Sequence, residues 1–206
     1  MTAYQTPSTR NVTAVFRSAT AEQVQAGIDW YADARRIAEV LAGQYDVTVN
    51  VAAGVIAALS PLNSWGNNVS LAARFLAAGG LDAGYLKANL AKARAILAGA
   101  DVLTTLSGLK VTNFYRSIVS AGADGICIDR HAYSLAVNDR SVSNDIPSLS
   151  PKRYAEVAET YRRAARILSR EMGMELAPAV VQSVTWTVWR SRYWADGAFD
   201  SHDVVA

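Results

Sequence analysis

Apolar side chains recur at helical spacing along most of the chain. Val24, Ile28, Tyr31, Ala34, Ile37, Ala38 and Leu41 fall mostly at steps of three and four, the repeat that lays one stripe of a helix on a core. Thr20, with Gln23 three residues on, forms a capping box before them, so the spacing predicts an amphipathic helix over 21–41. Residues 49–59 are apolar on nearly every side, the pattern of a helix buried inside a bundle, and Pro61 ends it. Further helical patterns cover 67–77, 85–97, 110–120 and 130–137, divided by Gly79-Gly80, Gly99, Gly108 and the 122–125 stretch. Pro151 suits the first turn of a long helix. A last helix over 178–194 stacks Gln182, Trp186, Trp189 and Tyr193 on one face, which reads as core. Residues 138–150 read as a loop at a lobe boundary, and residues 1–10 as a flexible leader. No segment alternates with period two, so the expected fold class is all-α.

Composition narrows the classes open to such a chain. With 51% hydrophobic and 18% charged residues over 206 positions, it should fold into one substantial core or two small lobes. The lone Cys127 suits a reducing compartment, no apolar run approaches a membrane span, and the N-terminus lacks a signal-peptide layout. A soluble, cytoplasmic protein without a membrane partner is the expectation. A formal net charge of +2 provides no global field for nucleic acid, so any DNA affinity must come from local clusters. Sixteen of the twenty basic residues are Arg, and Arg162, Arg166 and Arg170 share a helical stripe beside Arg153 and Arg163. With Glu156, Glu159 and Glu171 nearby, this is either a solvated helix face or a phosphate-contacting stripe. No His/Asp/Glu set has metal-ligand spacing, and phosphate-loop and dinucleotide fingerprints are absent, so neither metal nor cofactor is expected.

Candidate chemistry concentrates between residues 106 and 131. Leu106-Ser107-Gly108-Leu109-Lys110 is a tight turn that opens a helix, where backbone amides can converge on a phosphate and the helix dipole favours an anion. Asp129 follows the apolar run Ile126-Cys127-Ile128 and precedes a helical segment, which places its carboxylate at a helix N-terminus on the edge of a core. Read alone, Asp129 is an N-cap. His131, two residues on, is a structural hydrogen-bonding residue or a proton carrier.

Taken in order, these segments resemble the helix-hairpin-helix (HhH-GPD) superfamily of DNA glycosylases, which includes endonuclease III and the archaeal 8-oxoguanine glycosylases. The stretch from Leu106 to Arg116 resembles the hairpin and its following helix, and Ile128-Asp129-Arg130-His131 resembles the segment carrying the family's catalytic Asp. Residues 57–65 resemble the helix end and loop that face DNA, and residues 89–96 the helix before the hairpin. The resemblance implies a two-lobed helical fold, with one discontinuous lobe from 1–43 and 123–206 and a central bundle from 44–122 that ends in the helix-hairpin-helix. It also implies DNA as partner, a base flipped from the stack, and attack on the N-glycosidic bond assisted by Asp129, with Lys110 and His131 as further catalytic candidates. Leu106, Ser107, Gly108, Leu109 and Lys110 would hold the DNA backbone, joined by Asn63, Trp65, Arg116 and Arg130.

The chain also departs from the pattern. Bifunctional members use a lysine just past the hairpin as a nucleophile. Lys110 is the nearest, but aligning on Phe114 and Arg116 puts Leu109 at that position. Where some relatives carry a DNA-probing Gln, this chain has Leu62 with Asn63 beside it, and it has no Cys quartet for an iron–sulfur cluster. A second branch of the superfamily, the phage transferases that hypermodify thymine in DNA, needs no such lysine. Four readings therefore stand: a glycosylase-like enzyme, a hypermodification transferase, a noncatalytic DNA-binding module, and an intracellular structural or interaction protein in which Gly108 and Asp129 are a turn and a cap.

Overall fold

Caps set the helix boundaries as firmly as apolar stripes do. In a computed structural model that describes residues 3–143, 147 and 149–193, the chain is all-helical, with no strand among the described residues. Helix α1 spans Thr9–Arg17 and α2 spans Ala21–Gln44, the latter opened by the Thr20/Gln23 capping box. Thr48 caps α3 (Val49–Ala58), and Ser64 caps α4 (Trp65–Ala77) two residues earlier than the apolar pattern alone predicts. Next come α5 (Lys87–Leu97), the one-turn α6 (Val102–Thr105) and α7 (Leu109–Val119). Asp129 caps α8 (Arg130–Val137), and a 3-10 turn follows at Arg140–Ser143. Ser150 and Pro151 open α9 (Pro151–Met172), and α10 covers Pro178–Tyr193. No single helix among the described residues is long and apolar enough to cross a membrane.

Two cores organise these helices. The first surrounds α3, whose Ala52, Ala53, Val55, Ile56 and Ala57 are fully buried against Tyr31 and Leu41 of α2, Phe75 of α4, Ile96 of α5 and Ile118 of α7. The second joins α1, α8, α9 and α10 through Phe16, Tyr133, Tyr161, Leu168 and Val184. Helix α2 serves both, with Val24 against the second core and its stretch from Tyr31 to Ala42 in the first. Its most extensive partner is α10. There Ser183 donates to the Gly27 carbonyl at 2.5 Å and the Tyr31 hydroxyl donates to Gln182 Oε1 at 3.0 Å.

Two sequence expectations change. Most of the expected leader is docked: Tyr4 stacks on Tyr133 at 5.8 Å, the Gln5 amide donates to the Tyr133 hydroxyl at 2.8 Å, and the Ser8 amide donates to the Ala136 carbonyl at 2.8 Å. The cause is α1 itself, whose Val12, Val15 and Phe16 repeat at helical spacing and are buried. Burial of one such Phe is worth about 1.5–3 kcal/mol, enough to hold a short segment. The aromatic face of α10 divides. Gln182 and Trp189 are buried, whereas Trp186 is half-buried and Tyr193 is exposed. Trp194 and part of the 138–150 loop lie outside the described residues.

Candidate active site

Asp129 owes its place to a set of crossed hydrogen bonds. Residues 126–128 run extended between α7 and α9, and Tyr154 of α9 grips them at both ends, donating to the Ile126 carbonyl at 2.7 Å and accepting from the Ile128 amide at 3.0 Å. On the other side, Asn113 Oδ1 accepts from the Ile126 amide at 3.3 Å, and the Cys127 thiol lies 3.7 Å from the Lys110 carbonyl. The turn before α7 and the carboxylate after residue 128 are thereby tied together. Asp129 Oδ1 accepts from the Ala132 amide at 2.8 Å, so the cap expected from sequence is present. Its second oxygen accepts from Trp186 Nε1 at 2.9 Å, a bond to a helix 57 residues away.

The carboxylate stands in a doorway. An outer cleft of about 840 Å3 runs past Leu62, Gly108, Leu109, Arg130 and His131. Adjoining it is a smaller, partly open recess, the inner cavity, of about 140 Å3, walled by Trp30, Trp65, Phe114 and Trp186. Ser60, Asn63, Lys110, Asp129, Trp186 and Arg190 border both spaces. The rings form a continuous series: Phe114 meets Trp65 edge-on at 6.2 Å, Trp65 meets Trp30 at 5.1 Å, Trp30 stacks with Trp186 at 6.0 Å, and His131 meets Trp186 edge-on at 6.2 Å. Ring pairs at these separations touch one another, so the series forms a continuous apolar wall.

Charge gathers here as well. Among the lining residues Lys110, Arg130 and Arg190 surround a single carboxylate, Asp129. The Arg190 guanidinium lies 4.8 Å from the Trp186 ring centre, and its buried Nε has no acceptor among the described residues. Three basic side chains thus meet in the cleft of a chain whose formal net charge is only +2. By contrast, Glu159 takes Arg162, Arg163 and Arg166 at 3.6, 3.4 and 3.0 Å, so that part of the α9 stripe is an ion-paired, solvated face.

The other candidates sort by position. Gly108 turns at φ +86, a conformation open to glycine, no side chain caps α7, and Gly108, Leu109 and Lys110 at its start border the outer cleft. Lys110 and Leu109 are exposed at that end. Leu106, expected at the DNA, has its side chain in the first core, because it closes α6 against α3 and α5. Ser107 borders neither space and accepts from Lys92 Nζ. Arg116 also borders neither. Asn63, Trp65 and Arg130 do line the cleft.

His131 and Cys127 are held in their neutral forms. Burial lowers the His131 pKa, with Arg130, Arg190 and Lys110 acting in the same direction against Asp129. Its Nε2 accepts from Arg130 Nε at 3.3 Å, and the ring forms part of the wall of the outer cleft. Burial pushes the Cys127 thiol up to about 12, so it is no nucleophile at neutral pH.

Leu62, which the resemblance sets where some relatives carry a DNA-probing Gln, is 93% exposed at the cleft rim with φ +61, a left-handed conformation unfavourable for a branched side chain. Arg190 is a lining residue that sequence reasoning missed, and it carried no local signal.

A family model, described as a family of unknown function (DUF7178), matches residues 2–193. No curated protein and no solved structure matches the chain.

Proposed function

We propose that this chain, which belongs to the DUF7178 family, is a DNA-base-acting enzyme with a glycosylase-like helix-hairpin-helix fold. One observation carries the reading: Asp129 stands at the junction of a positively lined outer cleft and an aromatic inner cavity. A strand held in the outer cleft by the α7 amides, Lys110, Arg130 and Arg190 would send one base inward against the Trp rings. Its sugar and glycosidic bond would then remain at the doorway beside the carboxylate. Reaching that bond requires extrusion of the base. Leu62 would fill the gap left in the stack, as apolar wedges do in distorted duplexes. Asp129, anchored by the Ala132 amide and Trp186 Nε1, would stabilise positive charge developing on the sugar or orient a water. Lys110 borders the same doorway and is the amine available for a covalent variant of the reaction.

The test is a mass-spectrometric survey of oligonucleotides bearing uracil, 8-oxoguanine, alkylated bases or phosphorylated 5-hydroxymethyluracil. Release of a free base is the expected result. A mass gain on a pyrimidine would move the assignment to the hypermodification branch. Salt-sensitive DNA binding with every substrate unchanged would overturn the enzyme reading and leave a binding module.

A further inference from the structure

Trp186 meets Asp129 with its edge and Arg190 with its face. The indole Nε1 donates to Asp129 Oδ2 at 2.9 Å, and the Arg190 guanidinium lies 4.8 Å from the ring centre. The two residues are four apart on α10, so one turn of helix sets the guanidinium over the indole. Trp30 stacks with the same ring at 6.0 Å and His131 meets it edge-on at 6.2 Å, so the plane of the donor is held by neighbours on other helices as well. Among the described residues Arg190 makes no ion pair with Asp129, and its buried Nε meets no acceptor. A buried N–H in that state is costly. The contact that the guanidinium does make is with Trp186, whose ring face attracts a cation.

A cation over an indole draws electron density from the ring and leaves its N–H a stronger donor, much as linked hydrogen bonds polarise one another. Asp129 Oδ2 is the acceptor of that N–H. We infer that Arg190 is a positioning residue that acts on Asp129 through Trp186: its charge fixes the indole and strengthens the N–H that aims the carboxylate. This role is distinct from any phosphate that Arg190 contacts in the outer cleft. A strand contact is read in DNA affinity, whereas a positioning effect is read in kcat. The effect on rate rests on the DNA-enzyme reading, while the contact belongs to the free protein and is measurable there.

The experiment is a double-mutant cycle in the full chain. Arg190→Met keeps the length of the side chain and removes its charge, and Trp186→Phe keeps a ring and removes the donor. On an oligonucleotide that the wild type converts, Trp186→Phe should lower kcat at least about tenfold, the scale of a lost hydrogen bond to a charged group. Arg190→Met should lower kcat about threefold or more, but by less than about 1.5-fold in the Trp186→Phe background, where the residue it acts through is gone. Any loss of DNA affinity from a missing phosphate contact should be equal in the two backgrounds. In the free protein, the Trp186 indole N–H resonance, identified among five tryptophans by its loss in Trp186→Phe, should move upfield in Arg190→Met as its hydrogen bond weakens. No fall in kcat from Arg190→Met, an equal fall in both backgrounds, or an unmoved resonance would each overturn the inference and leave the DNA-enzyme reading intact. A wild type that converts no substrate would overturn that reading instead, and the resonance alone then decides the relay: movement supports it, and a fixed position overturns it.

Discussion

Gly27 and Gly43 lie on one helix, and replacing each with alanine should move stability in opposite directions. A Cβ built on Gly27 would lie 2.5 Å from Val184 Cα and 2.7 Å from its amide nitrogen, so the obstacle is the backbone of α10 and no rotamer change relieves it. Overpacking of this kind costs about 1–3 kcal/mol, and an immovable neighbour places it near the upper figure. Alanine returns about 1 kcal/mol of helix propensity, so Gly27→Ala should be net destabilising by about 2 kcal/mol. For a domain of this size that lowers Tm by about 4–8 °C. Around Gly43 no atom lies within 4 Å of the added carbon, so Gly43→Ala should gain about 0.5–1 kcal/mol and raise Tm by about 1–4 °C. Circular dichroism melts of the two variants measure the difference. Gly27 also precedes Trp30 and Tyr31 by about one turn, so forcing α2 off α10 should change tryptophan emission from the Trp30–Trp186 stack. A Gly27→Ala protein as stable as Gly43→Ala, with unaltered emission, would refute the close approach of α2 and α10 that shapes the cavity.

Leu62→Gly removes an exposed side chain from a left-handed position, so Tm should hold or rise by the equivalent of up to about 1 kcal/mol while any reaction on duplex DNA falls at least about tenfold. Undiminished turnover would remove Leu62 from the mechanism. Gly108→Ala meets no steric obstacle, but its φ of +86 should cost about 1–3 kcal/mol, and realigning the α7 amides should weaken DNA binding beyond the change in stability. Filter binding beside a melt separates these effects. Because burial lowers the His131 pKa in the folded protein, the unfolded chain takes up a proton near pH 6.5 that the folded chain refuses. This contribution to stability is present above about pH 6.5 and is lost as pH falls below it, by up to about 1.4 kcal/mol per pH unit. His131→Phe should flatten the dependence of Tm on pH below 6.5, and an unchanged slope would place the titration elsewhere.

Helix identities were legible because each rests on local signals. Thr20 with Gln23, Asp129 and Pro151 announce their helices by chemistry that needs no neighbour. Helix α1 carried the same kind of signal in Val12, Val15 and Phe16, but the Thr, Pro and Ser before it read as a leader, and only docking on Tyr133 and Ala136 shows otherwise. Sequence places Asp129 at a cap. Its second bond depends on where α10 crosses α8, a tertiary relation with no local trace. Trp186 was assigned to the core because helical spacing identifies which side of α10 is apolar. Spacing does not reveal that α2 and α4 leave a gap opposite that ring. The same gap makes Asn68, ordinary in sequence, an unpartnered amide at a cavity wall. The side chains of Leu106 and Arg116 lie away from the cleft for the complementary reason, since adjacency to the turn in sequence does not put a side chain on its exposed face.

The decisive comparison is wild type against Asp129→Asn on the same oligonucleotide panel, scored for chemical change and for DNA affinity together. Asparagine is as good an N-cap as aspartate and keeps one oxygen for the Ala132 amide, so α8 and DNA binding should survive while the charge and the acceptor for Trp186 Nε1 are lost. Release of a base, or its modification, by wild type and a fall of at least about a hundredfold in the variant at unchanged affinity is the expected outcome. Equal activity in the two proteins would show that the carboxylate at the doorway does not carry the chemistry.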